Sequence, residues 1–378
     1  MFSEKDLRGL MEFRSAGAPV LSLYLNVDPT RQKADQYKLK LRSLLKEVAG
    51  KAKAGDISAI EQYFDFEFDW QAKGIAAFSC QKEGFWRVYP MAVPVENRVY
   101  VYDRPYIKPL TDILDAYGRY GVILVDREGA RFYKFNLGEM EEATGVLGEE
   151  VKRLKHGRGG TGRRGGTAAA GRRGGMSAAG RREEGVVYRN LKDAAESATK
   201  FFEGSGITRL VLGGTEENVS QFKELLPKAI QTQVIGSFSI DAGATEAKVQ
   251  ARSMEVIEEA AQQREAERVK QLIAGWKRGS GSTVGLAGTL AALQEGRVGV
   301  LLVSAGYEAA GYRCQKCNYL TLNGQGNACN LCGGQLEPIS DVVDSAVHRA
   351  LGQGVEVEIV RGIDEFAELG GIGGLLRY

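Results

Sequence analysis

Residues 120–135, Tyr-Gly-Val-Ile-Leu-Val-Asp-Arg-Glu-Gly-Ala-Arg-Phe-Tyr-Lys-Phe, place two apolar runs on either side of a short acidic turn. Gly121-Val122-Ile123-Leu124-Val125 and Arg131-Phe132-Tyr133-Lys134-Phe135 read as strands. Asp126 to Ala130 supplies turn residues, so the stretch predicts a β-hairpin. A segment downstream of the hairpin is unusual for a folded domain. Lys155 to Glu184, KHGRGGTGRRGGTAAAGRRGGMSAAGRREE, is dense in arginine and glycine and contains three Gly-Gly pairs. Beyond it the pattern predicts a helix over about Tyr188 to Glu203, a buried strand at Arg209 to Gly214, a helix from Glu217 to Ala229 and a long charged helix from about Ala244 to Trp276. The exposed charges of that last helix read as a solvated face.

Before the hairpin lies an α/β unit. An amphipathic helix over Asp6 to Ala16 leads to an alternating strand at Val20 to Val27 and a helix over roughly Asp35 to Val48. Strand-like runs come next at Gly74 to Cys80, Phe85 to Val93 and Arg98 to Tyr102, and the unit ends near Pro109 to Tyr117. After the breaker Arg278-Gly279-Ser280-Gly281-Ser282 a third unit begins. Leu286 to Glu295 and Ile339 to Gln353 read as helices, Val298 to Val303 and Val355 to Val360 as strands. Strands separated by helices predict a mostly parallel sheet there.

A chain of 378 residues can bury two or three separate cores. Its formal charge of +2, on 50 basic and 48 acidic residues, excludes a general polycation. Any affinity for nucleic acid must come from local clustering, which the Arg/Gly segment supplies. No apolar run approaches the ~20 residues of a membrane span, and Met1-Phe2-Ser3-Glu4-Lys5-Asp6 lacks the order of a signal peptide, so the expectation is a cytoplasmic protein.

Of five cysteines, Cys80 stands in an apolar strand and reads as a small buried hydrophobe. The other four make two Cys-x-x-Cys pairs, Cys314/Cys317 and Cys329/Cys332, with Gly333-Gly334 directly after the second. Four thiolates in two knuckles predict a closed, structural Zn site, because no ligand position is left for water. The glycines allow the tight turn each knuckle needs.

The residues of the Arg/Gly segment support three readings. It lacks an apolar face that would offset the entropy of ordering it, which is the signature of a solvated linker. Its triplets Arg158-Gly159-Gly160, Arg164-Gly165-Gly166 and Arg173-Gly174-Gly175 suit an RNA clamp, guanidinium on phosphate or base and glycine permitting close approach. Paired glycines can also aim backbone N–H groups at a developing oxyanion, where one donor is worth ~3–4 kcal/mol.

Lys155-His156-Gly157-Arg158-Gly159-Gly160, placed after such a hairpin, resembles the central domain of the archaeal and eukaryotic class I peptide chain release factors, to which Pelota is related. The resemblance extends to Gly174-Gly175-Met176-Ser177-Ala178, Arg182-Glu183-Glu184, the strand Leu210 to Gly214, the run Leu286 to Val303, the four-cysteine insert and the ending Leu369 to Tyr378. Leu21-Ser22-Leu23-Tyr24-Leu25 carries it more loosely into the N-terminal unit.

The resemblance implies three mixed α/β domains in a tRNA-like arrangement, with a zinc-ribbon insert at 312–335. The domains would be 1–117, of decoding type; 118–277, carrying the loop 155–184; and 278–378. It also implies entry into the ribosomal A site and peptidyl-tRNA hydrolysis by the Gly-Gly loop. The candidate tips are Gly159, Gly160 and Thr161, or Gly174, Gly175 and Met176. RNA contacts would come from Lys38, Lys155, His156, Arg158, Arg163, Arg164, Arg172 and Arg173. The partners implied are the ribosome, rRNA and peptidyl-tRNA, with a translational GTPase or a ribosome-splitting ATPase at the C-terminal domain.

Three family motifs are altered. The Gly-Gly-Gln glutamine falls at Thr161 or Met176, and none occurs from Arg131 to Lys200. The stop-codon motif Asn-Ile-Lys-Ser falls at Gln36-Tyr37-Lys38-Leu39, and Tyr-x-Cys-x-x-x-Phe falls at Tyr100 to Tyr106. Base readout depends on particular donors and acceptors, so the expected role is rescue or quality control independent of a stop codon. The alternative is a non-catalytic ribosome- or RNA-binding factor that uses the loop as an rRNA clamp. No nucleotide cofactor is expected, since Gly213-Gly214 lacks the rest of a nucleotide fingerprint.

Overall fold

The computed structural model describes residues 2–30, 34–69, 71–149 and 178–377. Packing divides them into two compact units. One holds 1–118, 137–139 and 258–378; the other holds 119–136 and 140–257.

In the larger unit, helix α1 (Glu4–Glu12) starts two residues before the predicted point because Ser3 caps it. Asp6 N–H donates to Ser3 Oγ and Ser3 N–H to Asp6 Oδ2, at 3.3 and 2.9 Å. After it comes an antiparallel sheet in the order β3-β2-β1-β4, formed by β1 (Val20–Asn26), β2 (Gly74–Cys80), β3 (Phe85–Met91) and β4 (Arg98–Tyr102). Helices α2 (Ala34–Val48) and α3 (Ala54–Gln62), the latter continued by a π-helical turn at Tyr63–Glu67, share the sheet's core. Leu21, Leu23 and Leu25 pack there with Leu41, Leu44, Leu45 and Phe64. Cys80 is fully buried, as its apolar context predicts.

Helix α4 (Lys108–Tyr117) completes this part of the chain. In the smaller unit the predicted hairpin is present as β5 (Tyr120–Val125) and β6 (Gly129–Asn136), paired from Tyr120 opposite Phe135 to Val125 opposite Ala130. With β7 (Glu139–Leu147), β8 (Leu210–Gly214) and β9 (Val234–Ser239) they form a five-stranded sheet in the order β7-β6-β5-β8-β9, in which β5, β8 and β9 run parallel. Helix α5 (Ala178–Phe202) lays Leu191, Ala194 and Ala198 against Ile123, Phe132 and Leu212 of this sheet. The helix expected from Glu217 to Ala229 is broken at Pro227 into α6 (Glu216–Leu225) and α7 (Lys228–Gln231), since proline has no N–H for the ladder and disfavours helix in the residue before it. The long helix α8 (Glu246–Lys277) belongs to the smaller unit up to Ile257 and to the larger one from Glu258.

The C-terminal part of the larger unit departs from one expectation. Strands β10 (Ser282–Val284), β11 (Val298–Ser304), β15 (Glu356–Val360) and β16 (Ile372–Leu376) form a sheet in the order β10-β16-β11-β15. Only β11 and β15 run parallel; β16 is antiparallel to both its neighbours, so the sheet is mixed and not mostly parallel. The strand that changes its character is the glycine-rich ending. A Cβ on Gly373 would lie 2.8 Å from Leu272 of α8 and from the Thr283 carbonyl, so glycine is what lets this strand enter between its neighbours under the helix. Helix α9 (Leu286–Gln294) and helix α10 (Val342–Gly352) pack with β11 and β15. A second small sheet, β13-β12-β14, is made by β12 (Gly311–Cys314), β13 (Leu320–Thr321) and β14 (Leu336–Ile339), and α11 (Asp364–Glu368) precedes β16. The fold is thus mixed α/β, with a four-cysteine insert between β11 and α10. Among the described residues no helix is long and apolar enough to cross a membrane.

Candidate functional site

The candidate tips Gly159, Gly160, Thr161, Gly174, Gly175 and Met176 lie outside the described residues, as do Lys155, His156, Arg158, Arg163, Arg164, Arg172 and Arg173. The two ends from which that segment departs are described, and they are tied together. Asp126 Oδ1 accepts the N–H groups of Glu128 and Gly129 at 2.7 and 2.8 Å and so shapes the β5–β6 turn. Gly148 N–H, just past β7, donates to the Glu128 carbonyl at 2.6 Å. Asn190, buried on α5, donates from Nδ2 to the carbonyls of Arg127 and Glu149 at 3.1 and 2.9 Å, and accepts Glu149 N–H on Oδ1 at 3.0 Å. A Cβ on Gly148 would stand 2.2 Å from Asn190 Oδ1, so that close approach requires glycine. Arg127 and Glu183 add an ion pair at 2.9 Å.

One side chain therefore joins the hairpin turn, the end of β7 and helix α5. Sequence reading missed Asn190. Its only signal is a lone carboxamide between Val187 and Leu191 on the apolar side of the helix. Asn190→Ala removes three part-buried hydrogen bonds from a buried side chain, so it should destabilise the smaller unit by about 1–2 kcal/mol. It should also speed amide exchange at Gly148 and Glu149; unchanged exchange there would mean that the root is held by other contacts.

Lys38 lies on α2, 3.6 Å from Asp65 in a half-exposed ion pair. Such a pair is worth about 0–1 kcal/mol. Lys40 and Arg42 on the same helix are exposed.

The four cysteines converge. Their sulfurs all lie within 4.8 Å of one another, with Cys314 to Cys332 at 3.5 Å and Cys317 to Cys329 at 3.6 Å. Two knuckles of the same design bring this about. Asn318 N–H donates to the Cys314 carbonyl at 2.9 Å, and Gly333 N–H to the Cys329 carbonyl at 2.8 Å. The residue after each second cysteine is left-handed, Asn318 at φ 57° and Gly333 at φ 66°. Asparagine and glycine are the residues that tolerate this conformation. A Cβ on Gly334 would come within 3.0 Å of the Cys314 sulfur and 3.3 Å of that of Cys332, so the missing side chain keeps the cradle open.

These sulfurs fit a metal. Tetrahedral Zn–S bonds of about 2.3 Å put sulfurs roughly 3.8 Å apart, close to the spacing found. Burial pushes the Cys314 thiol up, but N–H groups of Cys317 and Lys316 aimed at the sulfur outweigh it and bring it down to about 6. Burial and the neighbouring thiols push Cys317 up to about 12. Four thiols this close cannot all ionise without a cation among them.

Residues 105–265 match the model of the family described as bacterial archaeo-eukaryotic release factor family 10. The resemblance to release factors drawn from the loop and its flanks is borne out over that part of the chain. A comparison with curated proteins finds no match. Among solved structures, the chain is similar to the archaeal translation termination factor aRF1, at 16% identity and a TM-score of 0.26 over 99% of this chain and 97% of that one. It is similar to Dom34 of S. cerevisiae, a translation termination-like factor involved in RNA quality control pathways and interacting with Hbs1, at 8% identity and 0.39 over 82% and 83%. A model of ribosome-bound archaeal Pelota and ABCE1 gives 14% and 0.41 over 100% and 94%. At these scores the three likenesses decide nothing further.

Proposed function

We propose that this chain is a release-factor-like translation factor that enters the ribosomal A site without reading a stop codon and acts in rescue or quality control of stalled ribosomes. The observation that carries the reading is the family match over residues 105–265, which spans the hairpin, the anchored root and the Arg/Gly segment. The root supports it physically, since a segment used at a reaction centre needs a rigid base. The division into domains 1–117, 118–277 and 278–378, and their tRNA-like arrangement, belong to this proposal. So do a cytoplasmic location and a GTPase or ATPase partner at the C-terminal part.

In the catalytic form of the reading, water attacks the ester carbonyl of peptidyl-tRNA. The products are the peptide carboxylate and a tRNA with a free 3′-hydroxyl. Backbone N–H groups at Gly159-Gly160 or Gly174-Gly175 would stabilise the oxyanion, a role that no side chain has to fill, so the absence of glutamine is compatible with it. The alternative, an rRNA clamp without hydrolysis, is favoured by the Arg-Gly-Gly triplets and by that same missing glutamine. We further propose that the four cysteines hold zinc in a structural role.

The deciding experiment is single-turnover release of labelled peptide from ribosomes with stop, sense or empty A sites. The expected result is codon-independent release that falls about 10²–10³-fold when one glycine pair is changed to alanine. Ribosome binding without release would favour the clamp. Its salt dependence should then flatten when Arg163, Arg164, Arg172 and Arg173 become alanine. A protein that fails to bind ribosomes at low salt would overturn both.

A further inference from the structure

Arg313 immediately precedes the ligand Cys314 on β12, and its guanidinium is almost wholly buried, with 5% of the side chain exposed. It donates to Glu337 of β14, with Nε at 2.9 Å, and to Asp103, just past β4, at 2.6 Å. Arg14, past the end of α1, crosses the same ground. Its Nε donates to Asp103 at 2.9 Å and its Nη2 to Glu337 at 3.0 Å. Two arginines and two carboxylates thus alternate, Arg14 and Asp103 from the N-terminal part of the larger unit and Arg313 and Glu337 from the cysteine insert. The Ser15 N–H donates to the Asp103 carbonyl at 2.9 Å, so the network holds residues 14–15 together with 103.

Beyond Leu320, which packs into the core of the C-terminal sheet, and the Asn318 carbonyl, which accepts from Arg349, the insert has little apolar material to fix Arg313 in place. Its buried cluster is Cys314, Cys329 and Leu336, with Tyr312, Tyr319 and the two remaining cysteines partly covered. Strand β13 has two residues, and β12 and β14 have four each. Sheets this small are not stable on their own, and a structural metal in such a module supplies the folding energy. The register that sets Arg313 opposite Glu337 lies one residue from the metal ligand. Once that register is lost, a buried arginine and its carboxylates lose their pairing, and unpaired buried charge is costly.

We propose that the four-cysteine centre, when it holds its metal, works as a latch that fastens the N-terminal part of the chain to the C-terminal part through Arg313 and Asp103. The latch is separate from the contacts of the next segment. Arg104 donates to Ser345 Oγ at 2.6 Å and Tyr106 OH to Asp341 at 2.9 Å. Arg361 pairs with Asp112, and Arg264 with Asp115 at 2.6 Å. None of these passes through the insert. Loss of metal should therefore loosen residues 14–18 and 98–103 selectively, leaving 106–117 in place.

The test is amide hydrogen exchange of the full chain before and after metal removal, with the metal counted by elemental analysis, on the native protein and on Asp103→Asn. That substitution sits outside the insert and cannot remove a ligand. The expected result is exchange at 14–18 and 98–103 about tenfold faster on stripping, with β2 unchanged. Asp103→Asn should show the same acceleration with its metal retained, and stripping it should add nothing at those positions. The inference rests on the cysteines holding a metal, and absence of any bound metal would overturn that reading. A metal that is present, and whose removal speeds exchange within 311–339 alone, would overturn the latch.

Discussion

Cys329→Ser should leave the protein without bound metal, where one ion per chain is expected for the native protein. Cys329 is buried, and its sulfur lies 3.6 Å from that of Cys317, so a serine hydroxyl there offers a poor, hard ligand in place of a thiolate. The binding free energy at stake is large. Structural Zn sites supply on the order of 10–16 kcal/mol in small modules, and most of it is folding energy. The sheets on either side should persist, because they have cores of their own. Leu293, Leu301, Val347 and Ile359 pack in one and Leu21, Leu44, Phe64 and Ile75 in the other, without any cysteine of the insert. Elemental analysis should report loss of the ion, and exchange or proton spectra should report melting of 311–339, together with the faster exchange at 14–18 and 98–103 that release of the Arg313–Asp103 contact brings, while both flanking sheets persist. Cys80→Ser is the control, since Cys80 is as buried but stands outside the cluster. A Cys329→Ser protein that kept its ion at undiminished affinity would show that the four sulfurs are not the ligand set.

That centre was legible because its information is local: two Cys-x-x-Cys pairs with eleven residues between them, the second followed by Gly333-Gly334, carry the pattern of two knuckles. The hairpin was legible for the same reason, its two apolar runs and turn lying within sixteen consecutive residues. Strand β7 was not. Its sequence, Glu-Met-Glu-Glu-Ala-Thr-Gly-Val-Leu, is mostly exposed and buries no stripe of side chains, so it carries no apolar alternation. Strand β16 was hidden by its glycines, which lower strand propensity and are required here by the approach of α8.

Site residues divide in the same way. Asn190, Arg14, Asp103 and Arg313 matter through partners 24 to 323 positions away, and no spacing rule reaches that far. The polar side chains around the start of α10 are the clearest case. In the sequence Tyr106 stands out only as the last position of the altered Tyr-x-Cys-x-x-x-Phe motif, and Lys108 carries no signal. In the fold Tyr106 OH donates to Asp341, and Lys108 Nζ lies 3.7 Å from the same carboxylate.

Asp344→Asn should reverse the pH dependence contributed by that cluster. Asp344 is buried beside Arg104 at 3.7 Å and His348 Nε2 at 3.5 Å, with Asp341 one turn before it and Lys108 facing it from α4. Neither Asp344 Oδ1 nor His348 Nε2 has a hydrogen-bond partner. Burial, and the charge of Asp341 against the pull of Arg104 and Lys108, raises the Asp344 carboxyl from its usual 3.8 to about 7. Burial, helped by Arg104, pushes His348 well below its usual 6.5, so the imidazole is neutral in the fold.

The two groups act in opposite directions. With its folded value raised, Asp344 binds a proton in the native state that the unfolded chain gives up, so its contribution falls as pH rises from about 4 to about 7, by at most ~4 kcal/mol. With its folded value depressed, His348 contributes stability at pH above 6.5 that is lost as pH falls below it. In the native protein the two largely cancel between pH 4 and 6.5, and stability declines from there to about pH 7.5. Asparagine keeps the shape, can donate to His348 Nε2 and carries no charge to bury. Asp344→Asn should then be more stable than the native protein at pH 8 and lose that advantage at pH 5, where only the histidine still penalises acid. Urea unfolding of both proteins at the two pH values measures the difference directly. A stability difference that stayed constant from pH 5 to pH 8 would mean that Asp344 does not take up a proton in the native fold.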